Sequence, residues 1–281
     1  MKLKIILFIV AFTHIFFLSF GQKHKDAKNY QLVKSKIRSL DAIWYKAIDS
    51  SGIVLKGNKN EREFDVFDES GNITEEYNYY ATPTLSNKQI LKFDKNNNVK
   101  EIKFYDASGI SSNKQVFVYD KLGKEIETKH FYPDSSIVDD STITKYIGDI
   151  GVMTEYRWTE YYKAFRIYII DTFKLDKVGN CIETFYYSNN EPDCKYKNTY
   201  DSKGNLIECD KDSVRMGDVT TKSIYKYDES GNVVSITETS RSGQRVSNYK
   251  YEFDVKGNWV KQIEIDDGKP TCILERVIVY R

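Results

Sequence analysis

The sequence predicts an all-β protein, a long antiparallel meander of repeated β-hairpins that forms one curved or spiral open sheet. Three observations carry that expectation. A motif of aromatic residue, Asp, two variable residues, Gly and Asn recurs along the chain. A second, less regular set of turn residues lies midway between its copies. The intervals between turns are rich in tyrosine and β-branched residues, which suit a pleated, half-buried surface.

The copies are Phe67-Asp68-Glu69-Ser70-Gly71-Asn72-Ile73, Phe93-Asp94-Lys95-Asn96-Asn97-Asn98-Val99 and Tyr119-Asp120-Lys121-Leu122-Gly123-Lys124 in the first half. The second half supplies Leu175-Asp176-Lys177-Val178-Gly179-Asn180-Cys181, Tyr200-Asp201-Ser202-Lys203-Gly204-Asn205-Leu206, Tyr227-Asp228-Glu229-Ser230-Gly231-Asn232-Val233 and Phe253-Asp254-Val255-Lys256-Gly257-Asn258-Trp259. Self-similarity at a fixed period marks a repeat architecture, in which each unit packs on its neighbours. Successive aspartates stand 25 to 27 residues apart, except that 56 residues separate Asp120 from Asp176. That interval is two periods, so one copy has degenerated there, near Gly148-Asp149-Ile150-Gly151.

The motif is turn chemistry. Asp opens a type I turn by capping backbone N–H groups, and Gly three residues later takes the left-handed conformation that closes a bulged hairpin. The residue before Asp then faces the residue after Asn, giving the cross-strand pairs Phe67/Ile73, Phe93/Val99, Tyr200/Leu206, Tyr227/Val233 and Phe253/Trp259. Pairs of this kind contribute about 0.2 to 1 kcal/mol each and fix register. The midway turns fall at Asp106–Gly109, Ser188–Asp193, Ser240–Gly243 and Asp266–Gly268, with Asp49–Gly52 opening the series. About sixteen strands follow, and an open sheet of that size must curl, wrap or split.

The beginning of the chain reads as a secretory signal: Lys2 and Lys4, an apolar run from Ile5 to Phe20, and small residues Ser19 and Gly21 before a cleavage site. Residues 1–21 are therefore expected to be removed, 22–30 to form a flexible segment, and 31–281 to form a single hairpin-repeat domain. No membrane span is expected after processing. Removing the signal leaves 40 basic and 41 acidic residues, a balance with no general pull toward nucleic acid.

Cys181, Cys194, Cys209 and Cys272 are even in number, so disulfides are compatible with an exported chain, but spacing does not pair them. Simple alternation of faces puts Cys194 with Tyr200 and Cys209 on the opposite face, which disfavours a bridge between those two. None of the four forms a C-x-x-C, and only His24 and His130 remain after processing, so neither a metal site nor a cofactor is expected.

The Tyr-Asp-x-x-Gly-Asn units resemble the YD repeats of the Rhs (rearrangement hotspot) and teneurin-like families. The resemblance covers Glu63 to Arg281 and is strongest over Tyr225–Val234 and Tyr249–Val260. It implies β-sheet strips that spiral into shells, sometimes sugar-binding, and in the toxins a shell around a C-terminal effector. Here Asn follows Gly where Arg is typical, the period is longer, and the chain ends on strand-like Arg276–Arg281. The resemblance therefore implies the repeats without a toxin domain.

Catalytic signatures are sparse. No Gly-x-Ser-x-Gly, Walker-type loop or Gly-x-Gly-x-x-Gly is present. Asp94, Asn96 and Asn98 copy the first ligands of a calcium loop, but Val99 stands where Gly is required. Glu75, Glu101, Glu127, Glu183 and Glu208 stand three residues after the Asn position, and ordered surface charge is the reading preferred over a metal or catalytic row. The expectation is an exported, non-enzymatic binding or scaffold protein of the periplasm, cell surface or medium, contacting glycan or another envelope protein. The alternatives are a carboxylate-dependent polysaccharide hydrolase and an Rhs-like shell or accessory protein. The candidate ligand site is the aromatic and charged run Tyr156, Arg157, Trp158, Glu160 and Tyr161, where the turn rule lapses.

Overall fold

In the computed structural model, residues 36–80, 84–131, 138–159, 164–188, 191–213 and 219–281 are described. The signal and flexible-segment expectations lie outside them. The strands are β1 (Ile37–Ser50), β2 (Ile53–Phe67), β3 (Ile73–Tyr79), β4 (Leu85–Phe93), β5 (Val99–Asp106), β6 (Ser111–Tyr119), β7 (Glu125–Phe131), β8 (Val138–Ile147) and β9 (Ile150–Thr159). They continue as β10 (Ala164–Leu175), β11 (Cys181–Ser188), β12 (Glu191–Tyr200), β13 (Leu206–Ser213), β14 (Val219–Tyr227), β15 (Val233–Ser240), β16 (Gly243–Phe253), β17 (Trp259–Asp266) and β18 (Lys269–Tyr280).

Each strand pairs antiparallel with the next, and β18 then pairs antiparallel with β1, from Tyr280 opposite Ile37 to Cys272 opposite Lys46. The result is a closed barrel of 18 strands, not the open sheet of about sixteen expected from sequence. The physical reason is edge satisfaction. A sheet this large curls, and pairing its two free edges satisfies the backbone donors and acceptors that either edge would leave open. At the seam, Arg281 N also donates to Lys36 O at 2.9 Å, and Arg281 Nη2 donates to Phe67 O at 2.5 Å.

Seven hairpins turn on the motif, all at one rim, because each follows an even-numbered strand. In the turn after β14, Asp228 N donates to Asn232 O at 2.9 Å and Gly231 N donates to Asp228 O at 3.1 Å. Asp228 Oδ1 accepts from Ser230 N at 2.9 Å and Asn232 N at 2.8 Å, while Oδ2 accepts from Asn232 Nδ2 at 2.8 Å. Gly231 sits at φ 86°, and Asn97, which stands at the same position in its copy, at φ 63°. The Asn side chain thus braces the Asp as well as tolerating the turn. The degenerate copy is the hairpin between β8 and β9, which turns tightly on Gly148 and Asp149. Four of the five midway turns lie where expected, and at the fifth Ser188 pairs with Glu191 while residues 189 and 190 lie outside the described residues.

The cross-strand pairs fall as the motif predicts, including Phe67 with Ile73, Tyr227 with Val233 and Phe253 with Trp259. Directly beyond each pair the register slips by one residue, for example between Val66 and Phe67 and between Thr199 and Tyr200. This repeated β-bulge flips the face of everything that follows. It corrects the expectation for Cys209, which lies opposite Asn198 and so shares the face of Cys194 and Tyr200. All four cysteines are free thiols.

No second layer covers the sheet among the described residues, so a side chain becomes fully buried only where curvature crowds it. Leu40, Phe67, Ile73, Leu91, Val99 and Ile102 lie on one face by register and are buried, and that face is the lumen. They form a core on the luminal wall near the motif rim, joined by Phe93, Phe104, Phe117, Ile278 and Tyr280. Each such side chain contributes about 1.5 to 3 kcal/mol. Across β9 and β10 the ring of Phe173 lies over Gly151, where an added Cβ would come within 2.1 Å of Cζ.

The motif tyrosines add a link between repeats that aromatic pairing alone did not suggest. Tyr119, Tyr200 and Tyr227 donate their hydroxyls to the carbonyls of Val99, Cys181 and Leu206, at 2.8, 2.9 and 2.7 Å. Each acceptor directly follows the Asn of the preceding copy. Where the motif carries Phe253, Tyr251 takes over and donates to Val233 O at 2.7 Å.

Two stability outcomes follow. Asp228→Ala removes the acceptor of two backbone N–H groups and one amide, and should cost about 1 to 3 kcal/mol in denaturant unfolding. Tyr227→Phe should cost about 1 kcal/mol. A Tyr227→Phe variant as stable as the parent would show that the inter-repeat hydroxyl bond is incidental.

Candidate functional site

The two faces of the wall carry different chemistry. The bulge sends the glutamates at the third position after Asn to the outer face, where each meets a lysine. Lys88 Nζ lies 2.9 Å from Glu75, Lys92 2.9 Å from Glu101, Lys129 3.4 Å from Glu127, Lys195 2.5 Å from Glu183 and Lys222 2.7 Å from Glu208. Tyr77 donates to Glu75 at 2.5 Å, and this bond together with Lys88 holds the Glu75 carboxyl below its usual range. The glutamate row anticipated as surface charge is therefore a girdle of ion pairs.

On the luminal face, above the row of stapled tyrosines, stands a second aromatic row on β11–β17. Tyr186 and Tyr196 meet edge to face with centroids 5.4 Å apart, and Lys211 Nζ lies 5.4 Å from the Tyr196 centroid. Tyr196 hydrogen-bonds Lys211, Tyr225 hydrogen-bonds Ser223, and Tyr249 donates to Glu264 Oε1 at 3.5 Å. These hydroxyls engage side chains, not backbone carbonyls, so they can exchange partners without opening a repeat. Burial raises the phenols of Tyr186, Tyr196 and Tyr249, and takes Tyr225 to about 12, so all stay neutral donors. The row offers ring faces beside an ammonium and a carboxylate, chemistry suited to a polyhydroxylated ligand.

The lumen also holds titratable groups outside this row. Asp171, opposite Tyr186 on one side and Met153 on the other, is buried, and desolvation pushes its carboxyl up to about 7. Glu63, Asp65 and Glu76 bring carboxylate oxygens within 4.8 Å of one another, a donor set that a metal could use. Ala42 lies opposite both Glu63 and Arg276, and the Arg276 guanidinium stacks 3.5 Å above the Trp259 ring. All three acids and Arg276 take part in further interactions.

The sequence-based site is placed only in part. Tyr156, Arg157 and Trp158 belong to β9, with backbone partners Ile167, Arg166 and Phe165 on β10. Glu160 and Tyr161 lie outside the described residues. The luminal tyrosines were missed because the strand pattern alone does not separate filler from platform. The signal available was position: Tyr196 and Tyr249 stand five residues before a motif Asp.

No family model and no curated protein matches the chain. Solved structures do. A porin-like protein from Bacteroides uniformis superposes with TM-score 0.35 at 8% identity, over 88% of this chain and 98% of that one. A porin-like protein from Bacteroides vulgatus gives 0.38 at 12%, over 88% and 99%. The Tc holotoxin pore of Photorhabdus luminescens gives 0.21 at 9%, over 78% of this chain and 20% of that one. The barrel itself is established by its own ring of pairings.

Asp171 sets a pH test. Its folded pKa lies above the unfolded value, so the folded state holds the proton more tightly and its contribution falls as pH rises from about 4 to about 7. Asp171→Asn should remove that slope and gain stability over the parent at pH 8 but not at pH 4, read from urea midpoints. A pH-independent difference between the two proteins would contradict the assignment.

Proposed function

We propose that the chain is an exported, water-immersed barrel of the cell envelope or extracellular space that binds a glycan, free or carried by an envelope protein, on its luminal wall without chemical turnover. The observation that carries this reading is the ion-pair girdle on the outer face. A membrane barrel needs an outward apolar band about 25 Å tall, and each lysine or arginine at the bilayer midplane costs roughly 2 to 4 kcal/mol. Lys88, Lys92, Lys129, Lys195 and Lys222 recur around the ring with their glutamates. Water is the solvent this surface fits.

The luminal face supports the choice of ligand. Tyr186, Tyr196, Tyr225 and Tyr249 present aromatic surface beside Lys211 and Glu264. We read the units as YD repeats, supported by the uniform Asp turn and the tyrosine link between copies. On this reading the repeats make a ring that carries a binding wall, and no effector is required.

The test has two arms. The chain from Gln22 onward should stay monodisperse without detergent and should not co-float with phospholipid vesicles. Tyr196→Ala and Tyr249→Ala should each weaken retention on a glycan array about tenfold, equivalent to ~1.4 kcal/mol. Insertion into vesicles, or an array profile indifferent to both substitutions, would overturn the reading.

A further inference from the structure

We infer that a groove on the outer side of the motif rim, between the Asp176 and Asp201 turns, is a second saccharide subsite that takes a neutral sugar unit. The inference shares only its ligand class with the luminal reading, since Lys174, Glu183, Lys197 and Thr199 face outward by register, although Asn198 and Tyr200, which also line the groove, face inward.

The groove has a volume of about 690 Å³ and is lined by β10–β12 and their two turns. That volume lies within the range of small-ligand sites, roughly 300 to 1,000 Å³. Its charge pattern departs from that of the other repeats. Glu183 lies directly opposite Lys174 on β10 and Lys197 on β12, yet its carboxylate pairs with Lys195 at 2.5 Å. Lys174 is left with Asp149 at 4.0 Å, and among the described residues Lys197 has no carboxylate within that distance. Two ammonium donors therefore flank the groove from strands two rungs apart, about 10 Å across.

The remaining lining supplies the complement. Asn180 donates its amide nitrogen to Asp176 Oδ2 at 2.9 Å, which leaves its oxygen as an acceptor. Thr199 and Ser202 bring hydroxyls, and Ile182 and the exposed Val178 bring apolar surface against which the C–H face of a sugar ring can lie. Asp176, Glu183 and Asp201 also line it, so the two lysines do not make the groove cationic. Donors and acceptors in near balance, with an apolar edge, select vicinal hydroxyls over sulfate or phosphate.

Calorimetry on the full mature chain tests this with maltohexaose, cellohexaose and chitohexaose as neutral probes and dextran sulfate as the anionic one. Lys174→Met with Lys197→Met should weaken one of two binding events for a neutral hexasaccharide at least tenfold, while Lys222→Met, outside the groove, leaves both unchanged. Dextran sulfate should not displace the probe. Unchanged affinity in the double variant, or preference for dextran sulfate, overturns the groove. Loss of all binding in Tyr249→Ala but not in the double variant leaves the luminal site standing and removes the groove. The opposite result does the reverse, and no binding by any neutral probe removes both. Unchanged near-UV circular dichroism confirms that each variant is folded.

Discussion

The barrel depends on one carboxylate used repeatedly. In each motif turn an Asp oxygen receives backbone N–H groups two and four residues on, as at Asp94, Asp176, Asp201, Asp228 and Asp254. Those hydrogen bonds hold Asp94, Asp176, Asp201 and Asp254 below the usual aspartate range against the opposing effect of desolvation. The turn sets the first cross-strand pair, the bulge beyond it reverses the alternation of faces, and that reversal puts the glutamates outside. A local hydrogen-bond pattern thereby decides which face carries the ion pairs and which becomes the lumen.

The same turn explains why the two walls are chemically distinct without any covering layer. Most residues directly flanking the turns are inward and apolar, Glu125 excepted, and Phe67, Ile73, Phe93 and Val99 join Leu40, Leu91 and Ile102 in the core along β1–β6 and β18. Further along the strands the inward positions become polar and aromatic, with Asp171, Tyr196, Lys211, Tyr249 and Glu264. A barrel of this strand number leaves an interior wider than side chains fill, as in porins of 16 to 18 strands. Tyrosine suits that boundary, with a ring that packs and a hydroxyl that remains available to a hydrogen-bond partner.

Much of this was legible in the sequence. The motif hairpins, the residue pairs at five of the seven motif turns, four midway turns and the degenerate copy were readable, because each rests on interactions between residues within one period. What was not legible is of two kinds. Closure depends on β1 and β18, neither of which carries the motif at the seam, and pairing between distant strands leaves no local signature. The face of Cys209 was misjudged because the bulge adds a residue that simple alternation does not count. The groove was equally hidden, since it turns on whether Glu183 reaches Lys195 or its direct partners Lys174 and Lys197.

The seam between β1 and β18 separates two populations of contacts in time. Every other rung joins strands adjacent in the chain, so it can form soon after both have been made, at a small cost in loop closure. The rung from Ile37 to Tyr280 joins the two ends of the described chain, and it must wait until nearly all of it exists. Until then β1 presents an open edge bearing Leu40, Ala42 and Trp44, and partial sheets of this kind invite pairing with other chains. The closing rung is thus a checkpoint on biogenesis, because the same geometry that seals the finished ring keeps the nascent one adhesive.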